Sequence, residues 1–302
     1  MNQGNWNLET VHGEIFRLEK LSCSPFIAAQ IMKVLEKSNP STTDLAKWIS
    51  LDQVLTARIL KLANSHYYGY SKHISTLNPA IITIGLQPLK NLLTGITVID
   101  QFSDATLMNW KESRKIFTHS LCVAQGTRVL AELVDFPTLG EAFVAGLLHD
   151  IGRQILTQIY PADYNHTCRF AQNHHVTEFE AEKEILECDH AQLGSWLARS
   201  WNFPANLVDA IENHHQPCAD SHETQLTWLV HLANLICHSM DFSGNNSEYQ
   251  YHPELESEIL GKLKKHFSLN GKSLKDFQDL FKLDHEKSSI VSVWGPNVRY
   301  KS

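Results

Sequence analysis

The sequence predicts an all-α protein, and three observations lead to this fold class. Apolar residues recur at spacings of three and four through most of the first 240 residues, which is the period of helices with one buried face. Convincing alternation of apolar and polar residues is missing, and the two ambiguous runs, 81–84 and 96–99, are interpreted as buried helix. Proline-containing and glycine-containing breaks divide the pattern into short helices.

The first predicted unit covers residues 14–103 and consists of short helices joined by brief turns. A helix is expected to begin at Ser41, because this residue type caps helices and Asp44 follows three residues later in the first turn. Asn78-Pro79 is expected to open another helix, which Gly85 then interrupts.

The second predicted unit covers residues 104–240, and a linker and helical appendage follow in 241–302. The helices expected in the second unit are 113–134, 140–157, 177–186, 189–201, 204–215 and 224–240. In the appendage, 255–267 and 274–283 are amphipathic stretches rich in lysine.

Composition and charge argue against several classes of protein. No apolar run approaches the ~20 residues needed to cross a bilayer, and the N-terminus lacks the features of a signal peptide, so we expect a cytoplasmic protein without a membrane partner. The six cysteines form no CxxC pair, which favours reduced thiols. The net charge of -7 opposes nonspecific binding of nucleic acid. A weaker hypothesis places nucleic acid on the first unit, through Arg58, Lys61, Lys72 and Lys90.

Histidine is unusually frequent, with 17 copies in 302 residues, and some of these lie where they could bind a metal. In the apolar segment 145–152, His149 and Asp150 are adjacent, and burying them without a partner would cost several kcal/mol. Gly146 and Gly152 would allow neighbouring helices to come close to this pair. Imidazole and carboxylate are ligands for Zn, Fe, Mn or Ni. The candidate ligands are His119, His149, Asp150, His190, His214 and His215.

Taken singly, several of these histidines have a structural interpretation. His190 follows Asp189 at the start of a helix and could act as a turn residue, while His214-His215 ends a helix and complements its dipole. Considered together, the set favours ligands converging from different helices of a bundle.

The order of these residues resembles the HD superfamily of metal-dependent phosphohydrolases, and more closely its HDOD branch. Residues in the first unit that fall in the HDOD pattern are Leu62-Ala63-Asn64-Ser65, Tyr68, Ile74-Ser75, Ala80-Ile81 and Leu89-Lys90-Asn91. The resemblance spans about residues 14–240. It implies an HD-domain-like helical bundle preceded by an HDOD-type N-terminal helical subdomain, in a bacterial signalling protein for which catalysis is generally not established.

The related HD-GYP branch hydrolyses cyclic di-GMP at a metal cluster, and three positions depart from its pattern. Asn234 stands where a ligand aspartate is expected, Lys115 where a glutamate is expected, and Arg153 where a lysine is expected. An amide has one negative charge fewer than a carboxylate, and an ammonium at Lys115 would repel a second cation, so one metal ion is expected rather than two. Asn234 could still offer its carbonyl oxygen, and His231 or His238 could substitute for it.

The leading hypothesis is therefore a noncatalytic HDOD regulatory protein with a residual metal or ligand pocket, acting on a signalling partner supplied in trans and holding a nucleotide or other small molecule. The alternative is a metal-dependent phosphohydrolase acting on a nucleotide or cyclic dinucleotide, with Lys115 or Arg153 stabilising charge. The plain interpretation of Lys115, a solvated charge on a helix, stays open beside that role. Metal occupancy is expected to fall below about pH 6.5, because ligand imidazoles must be neutral.

Overall fold

The computed structural model describes residues 6–15, 21, 23–37, 39–65, 73–90, 110–217 and 224–239, and the single residues 261, 276, 277, 279 and 281. Within this part of the chain every regular element is a helix, which confirms the predicted all-α fold. The helices are α1 (Leu8–Ile15), α2 (Pro25–Leu35), α3 (Thr42–Ile49), α4 (Gln53–Ala63), α5 (Leu77–Ile84), α6 (Trp110–Leu133), α7 (Leu139–Leu148), α8 (Ile151–Ile159), α9 (Pro161–His174), α10 (Glu178–Leu186), α11 (His190–Ser200), α12 (Ala205–Asn213) and α13 (Thr224–Ser239).

Local sequence signals set the ends of several helices. The Ser41 side chain caps α3 by accepting a hydrogen bond from the Asp44 N–H, as the sequence predicts. The helix expected at Asn78-Pro79 begins one residue earlier, at Leu77. It ends at Gly85, whose φ of 80° is a backbone conformation that glycine adopts without steric cost.

Two helix predictions in the second half were wrong. The segment 140–157 is not one helix, because α7 ends at Leu148 and α8 begins at Ile151, so the His149-Asp150 pair lies at a break between them. Pro161–His174 forms a helix that the polar sequence of this segment did not indicate. Pro161 stands at its first turn, a position where the missing N–H of proline costs nothing.

The second half is a bundle in which α6 packs against α7 and α13, while α11 packs against α8 and α12. In the first half, α3 packs against α2 and α5, and α4 also packs against α5. The halves meet where α4 contacts α7 and where α1 packs against α11. Trp6, just before α1, adds a contact with α10 by donating its indole N–H to the Leu186 carbonyl at 3.0 Å.

The predicted division into residues 14–103, 104–240 and 241–302 stays a prediction, since both boundaries lie outside the described residues. In the predicted appendage, Phe277 and Phe281 are fully buried, and Phe281 packs beside Gly126 of α6. No helix in the described part of the chain has both the length and the apolar character needed to span a membrane.

Candidate metal centre

The predicted ligands come from α6, α11, α13, the end of α12 and the break between α7 and α8, and they meet in the core of the second half. His119 lies in α6, Asn234 in α13, and His190 at the first position of α11. His149 and Asp150 occupy the break between α7 and α8, while His214 caps the end of α12 beside His215. All are buried except His215, which is partly exposed.

Glycines allow the helices that carry these ligands to approach closely. A Cβ atom at Gly152 would lie 1.9 Å from the carbonyl oxygen of His190, and one at Gly146 would lie 2.6 Å from Thr127 Oγ1. Neither position can hold a larger residue without a shift of backbone or side chain. The predicted role of these two glycines is confirmed by this packing.

Asp150 is the centre of the arrangement. Its Oδ1 lies 3.1 Å from His190 Nε2 and 3.5 Å from His214 Nε2. Its Oδ2 lies 3.5 Å from His149 Nε2 and 4.0 Å from His119 Nε2. Burial opposes ionisation of this carboxyl, but the surrounding imidazoles and Arg153 more than offset it and hold the pKa well below its usual range.

Asp150 belongs to two sets of ligand atoms, within each of which all atoms lie within 4.8 Å of one another. One set, the His190 group, consists of Asp150, His190, His214 and His215. The other, the His119 group, consists of His119, His149 and Asp150. The structure therefore brings together every histidine that the sequence predicts as a ligand, in two subsites joined by one carboxylate.

Two buried imidazole nitrogens indicate that a cation fits here. His149 Nδ1 lies 2.7 Å from the Gly146 carbonyl, and His214 Nδ1 lies 2.8 Å from the Ile211 carbonyl, so each Nδ1 carries the hydrogen. Each Nε2 then presents a lone pair, and neither has a hydrogen-bond partner among the described residues. A buried lone pair that has no donor and faces the Asp150 carboxylate is energetically unfavourable. A divalent ion bound in either group would satisfy the nitrogen of that group.

On one side of the centre a second carboxylate, which the sequence analysis did not identify, supports His190. Glu182 Oε2 accepts from His190 Nδ1 at 2.6 Å and from the His190 backbone N–H at 2.8 Å. Burial disfavours the charged form of His190, but Glu182 and Asp150 outweigh it and raise the pKa to about 10. The protonated Nε2 thus lies between Asp150 and His215 Nε2, which is 2.9 Å away. Such carboxylate support orients metal-binding imidazoles.

The signal for Glu182 in the sequence was weak. It is one of several acidic residues in α10, and only its place beside Ala181 and four residues before Leu186, both buried, marks it as facing the core.

On the other side, an amide contacts a ligand histidine directly. His119 Nε2 donates to Asn234 Oδ1 at 2.9 Å. Burial lowers the pKa of His119 to about 4, so this imidazole is neutral at pH 7 with its hydrogen on Nε2. The His238 ring lies 4.4 Å from the His119 ring, while His231 Nδ1 contacts the His214 carbonyl at 2.7 Å. His231 therefore supports the backbone of a ligand residue.

The two candidate catalytic cations have different surroundings. Arg153 is buried, with Nε 3.3 Å from Asp150 Oδ2 and Nη1 donating to Glu178 Oε2 at 2.6 Å. Lys115 forms an ion pair of 2.9 Å with Glu112 on its own helix, and about a third of its side chain is exposed. Arg153 thus lies at the centre and holds Asp150 in place, whereas the geometry of Lys115 matches a solvated helix charge. Their catalytic roles stay predictions.

The chain matches the model of a known protein family. The HDOD domain model matches residues 21–217. The structure is similar to that of the response regulator MmoQ from Methylococcus capsulatus str. Bath, with a TM-score of 0.66 and 22% identity over 87% of this chain and 98% of that chain. This likeness supports the fold.

The chain also matches parts of two longer proteins. A protein of Treponema pallidum (strain Nichols) is 24% identical over 229 residues, which is 74% of this chain and 44% of that protein. Ribonuclease Y of Deinococcus radiodurans is 30% identical over 124 residues, which is 41% of this chain and 16% of that enzyme. In both cases the chain spans less than half of the relative's length.

Proposed function

The chain belongs to the HDOD family, and from this premise we propose that it is a regulatory protein of signal transduction that holds one divalent metal ion and does not turn over a substrate. The ion would lie in the His190 group, held by Asp150, His190, His214 and His215. When bound, it would supply concentrated positive charge and Lewis acidity. The role of the ion would be to fix the relative positions of the helices that meet at Asp150.

The hydrogen bond between His119 and Asn234 is the observation that carries this proposal. The Nε2 atom that His119 would offer to an ion in the His119 group already donates to Asn234 Oδ1 at 2.9 Å. To bind a metal, His119 would have to lose that hydrogen or change tautomer, and the amide oxygen would lose its partner inside a buried site. The His119 group is therefore the weaker subsite, which favours one ion over two.

Burial supports a structural role for the ion. His149, His190 and His214 are completely inaccessible to solvent, and Asp150 is only 3% exposed. A metal that joins the α7–α8 break, α11 and the end of α12 stabilises the packed state by the free energy of its binding. We propose that a signalling protein supplied in trans reads this state from the surface of the bundle.

A second candidate function, metal-dependent hydrolysis of a nucleotide or cyclic dinucleotide, is favoured by the sharing of Asp150 between two ligand groups. Two adjacent metals that share a ligand can stabilise both the attacking and the leaving oxygen in phosphodiester cleavage. The partial similarity to ribonuclease Y is consistent with such chemistry. In this case Arg153 would keep Asp150 oriented.

The two functions differ in metal stoichiometry and in turnover. We expect purified protein loaded with Mn²⁺, Fe²⁺ or Zn²⁺ to retain one ion per chain, His214→Ala to bind it more weakly, and neither protein to hydrolyse bis(p-nitrophenyl) phosphate or cyclic di-GMP. His174→Ala, which changes an exposed histidine of α9, serves as the matched control. Metal-dependent turnover that His214→Ala abolishes would refute the regulatory proposal.

Asn234→Asp is the sharper variant. A carboxylate at this position adds a charge and an acceptor beside His119, so we expect a second ion to bind, measured by elemental analysis after dialysis. If wild type already holds two ions, the argument from the His119–Asn234 hydrogen bond fails. If it holds none after loading, the metal proposal itself fails.

A further inference from the structure

A cleft at the seam between the two halves of the molecule is distinct from the metal centre. It has a volume of about 840 Å³ and is lined by residues of α3 and α5 from the first half and of α6 and α7 from the second. Its volume is within the range of small-molecule sites, roughly 300–1,000 Å³.

The charge of the cleft is opposite to that of the whole chain. Lys47 of α3 and Arg128 of α6 lie along it, and none of the described residues that line it is acidic. This lining contrasts with the net charge of -7 of the whole chain. It favours an anionic ligand, because a guanidinium and an ammonium make charge-assisted hydrogen bonds with phosphate oxygens.

Two helix N-termini at the edge of the cleft add to this preference. The N-cap residues of α5 and α7, Thr76 and Thr138, make no capping hydrogen bond with their side chains. First-turn residues of both helices, Leu77 and Gly140, line the cleft, and a Cβ at Gly140 would lie only 3.3 Å from Thr76 Cγ2. The backbone N–H groups and positive dipole ends of two adjacent helices therefore support the positive charge of Lys47 and Arg128.

The remaining lining is apolar with a few amides and hydroxyls. Phe143, Pro79 and Leu77 provide a surface on which a flat ring can pack, and Gln125 and Asn78 carry amides that can pair with the edge of such a ring. A phosphate alone would leave the apolar surface uncovered, and an apolar ligand would make no use of the positive charge of Lys47 and Arg128. A phosphorylated heterocycle satisfies both.

We propose that this cleft is a binding site for a nucleotide, with the phosphates at Lys47, Arg128 and the two helix N-termini and the base against Phe143 and Pro79. This proposal does not depend on the metal. Its consequence for signalling follows from the helices involved: α6 and α7 line the cleft and carry His119 and, at the end of α7, His149. A nucleotide would thus join the two halves next to the helices that form the metal centre.

Equilibrium dialysis of the full chain with radiolabelled ATP in excess EDTA tests the site, because the chelator removes metal-dependent binding at the other centre. We expect saturable binding of one ATP, with adenosine and inorganic triphosphate each competing more weakly than ATP itself. Lys47→Glu should weaken binding at least about tenfold, equivalent to about 1.4 kcal/mol. Lys33→Glu, which reverses an exposed lysine of α2 outside the cleft, should leave it within about twofold.

Absence of saturable ATP binding by the wild type would overturn the proposal, as would equal effects of Lys47→Glu and Lys33→Glu. Acetylation of wild-type lysines with and without ATP, read by mass spectrometry, gives a test that needs no variant. Lys47 is exposed and should be protected by ATP, whereas Lys33 should not. Equal labelling of Lys47 in both samples under saturating ATP would also refute the site.

Discussion

The two sides of Asp150 hold histidines in opposite electrostatic states. On the His190 side, a carboxylate accepts from Nδ1 and leaves Nε2 directed at Asp150. On the His119 side, an amide accepts from Nε2 itself. The pKa of His190 is raised to about 10 and that of His119 is lowered to about 4, although both residues are buried.

This difference teaches that burial alone does not decide how an imidazole behaves. Burial lowers the pKa of both histidines, and the charge of the side chain that accepts the ring N–H decides whether this effect is overcome. Glu182 adds negative charge on one side, so a proton occupies the position that a metal would take. Asn234 adds no charge on the other side, so neither a proton nor a metal is strongly attracted there.

The largest expected effect comes from removing the carboxylate that both sides share. Asp150→Ala should abolish metal binding in both groups and leave the His190 cation and Arg153 without this partner. We expect destabilisation of about 3–5 kcal/mol, the range for breaking a buried ion pair, measured by urea unfolding of metal-free protein. Asp44→Ala in the first turn of α3 is the control. Retention of a bound ion by Asp150→Ala would contradict the central place of this carboxylate.

Glu182→Gln should weaken only the His190 side. The amide keeps an acceptor for His190 Nδ1 but removes the charge, so we expect metal affinity to fall about 10-fold to 100-fold, as for other partners of metal-binding histidines. Competition with a metal-sensitive dye measures this. Glu184→Gln, an exposed position of the same helix, should have no effect. Equal affinities of the two variants would remove Glu182 from the description of the centre.

The pH dependence should also come from the His190 side. Because metal-free His190 is protonated at pH 7 and a metal needs its neutral form, binding should release about one proton, and affinity should rise about tenfold per pH unit from pH 6.5 toward 10. His119, already neutral above about pH 4, should release none. Titration calorimetry in buffers of different ionisation enthalpy measures the number of protons. A value near zero at pH 7 would show that His190 is neutral before metal binds.

The smallest effect is expected at Lys115. Its ion pair with Glu112 is partly solvated, and such pairs contribute a few tenths of a kcal/mol. Lys115→Ala should therefore change the free energy of unfolding by less than about 0.5 kcal/mol and leave metal affinity unchanged on both sides. A change in metal stoichiometry would instead place the Lys115 charge within reach of the His119 group.

Much of the fold and of the centre could be predicted from the sequence, for identifiable reasons. A helix start such as Ser41 could be predicted because it depends on a contact with a residue only three positions away. The ligand histidines could be predicted because a histidine in an apolar core has few other uses. The break at His149-Asp150 could not be predicted, because the flanking residues continue a helical period, and it is seen only in the structure, where α7 ends at Leu148 and α8 begins at Ile151. Glu182 was missed because its partner lies on another helix.

Gly152 has a mechanical consequence for the whole molecule. It follows Asp150 by two residues and lies against the His190 carbonyl, so a close contact between α8 and α11 lies directly beside two metal ligands, Asp150 and His190. A displacement of one helix along the other would change the ligand geometry by a similar amount. The affinity for the ion and the relative position of the helices would then be reciprocally linked. A partner protein that binds α8 and displaces it would therefore release the metal ion, and this release can be measured.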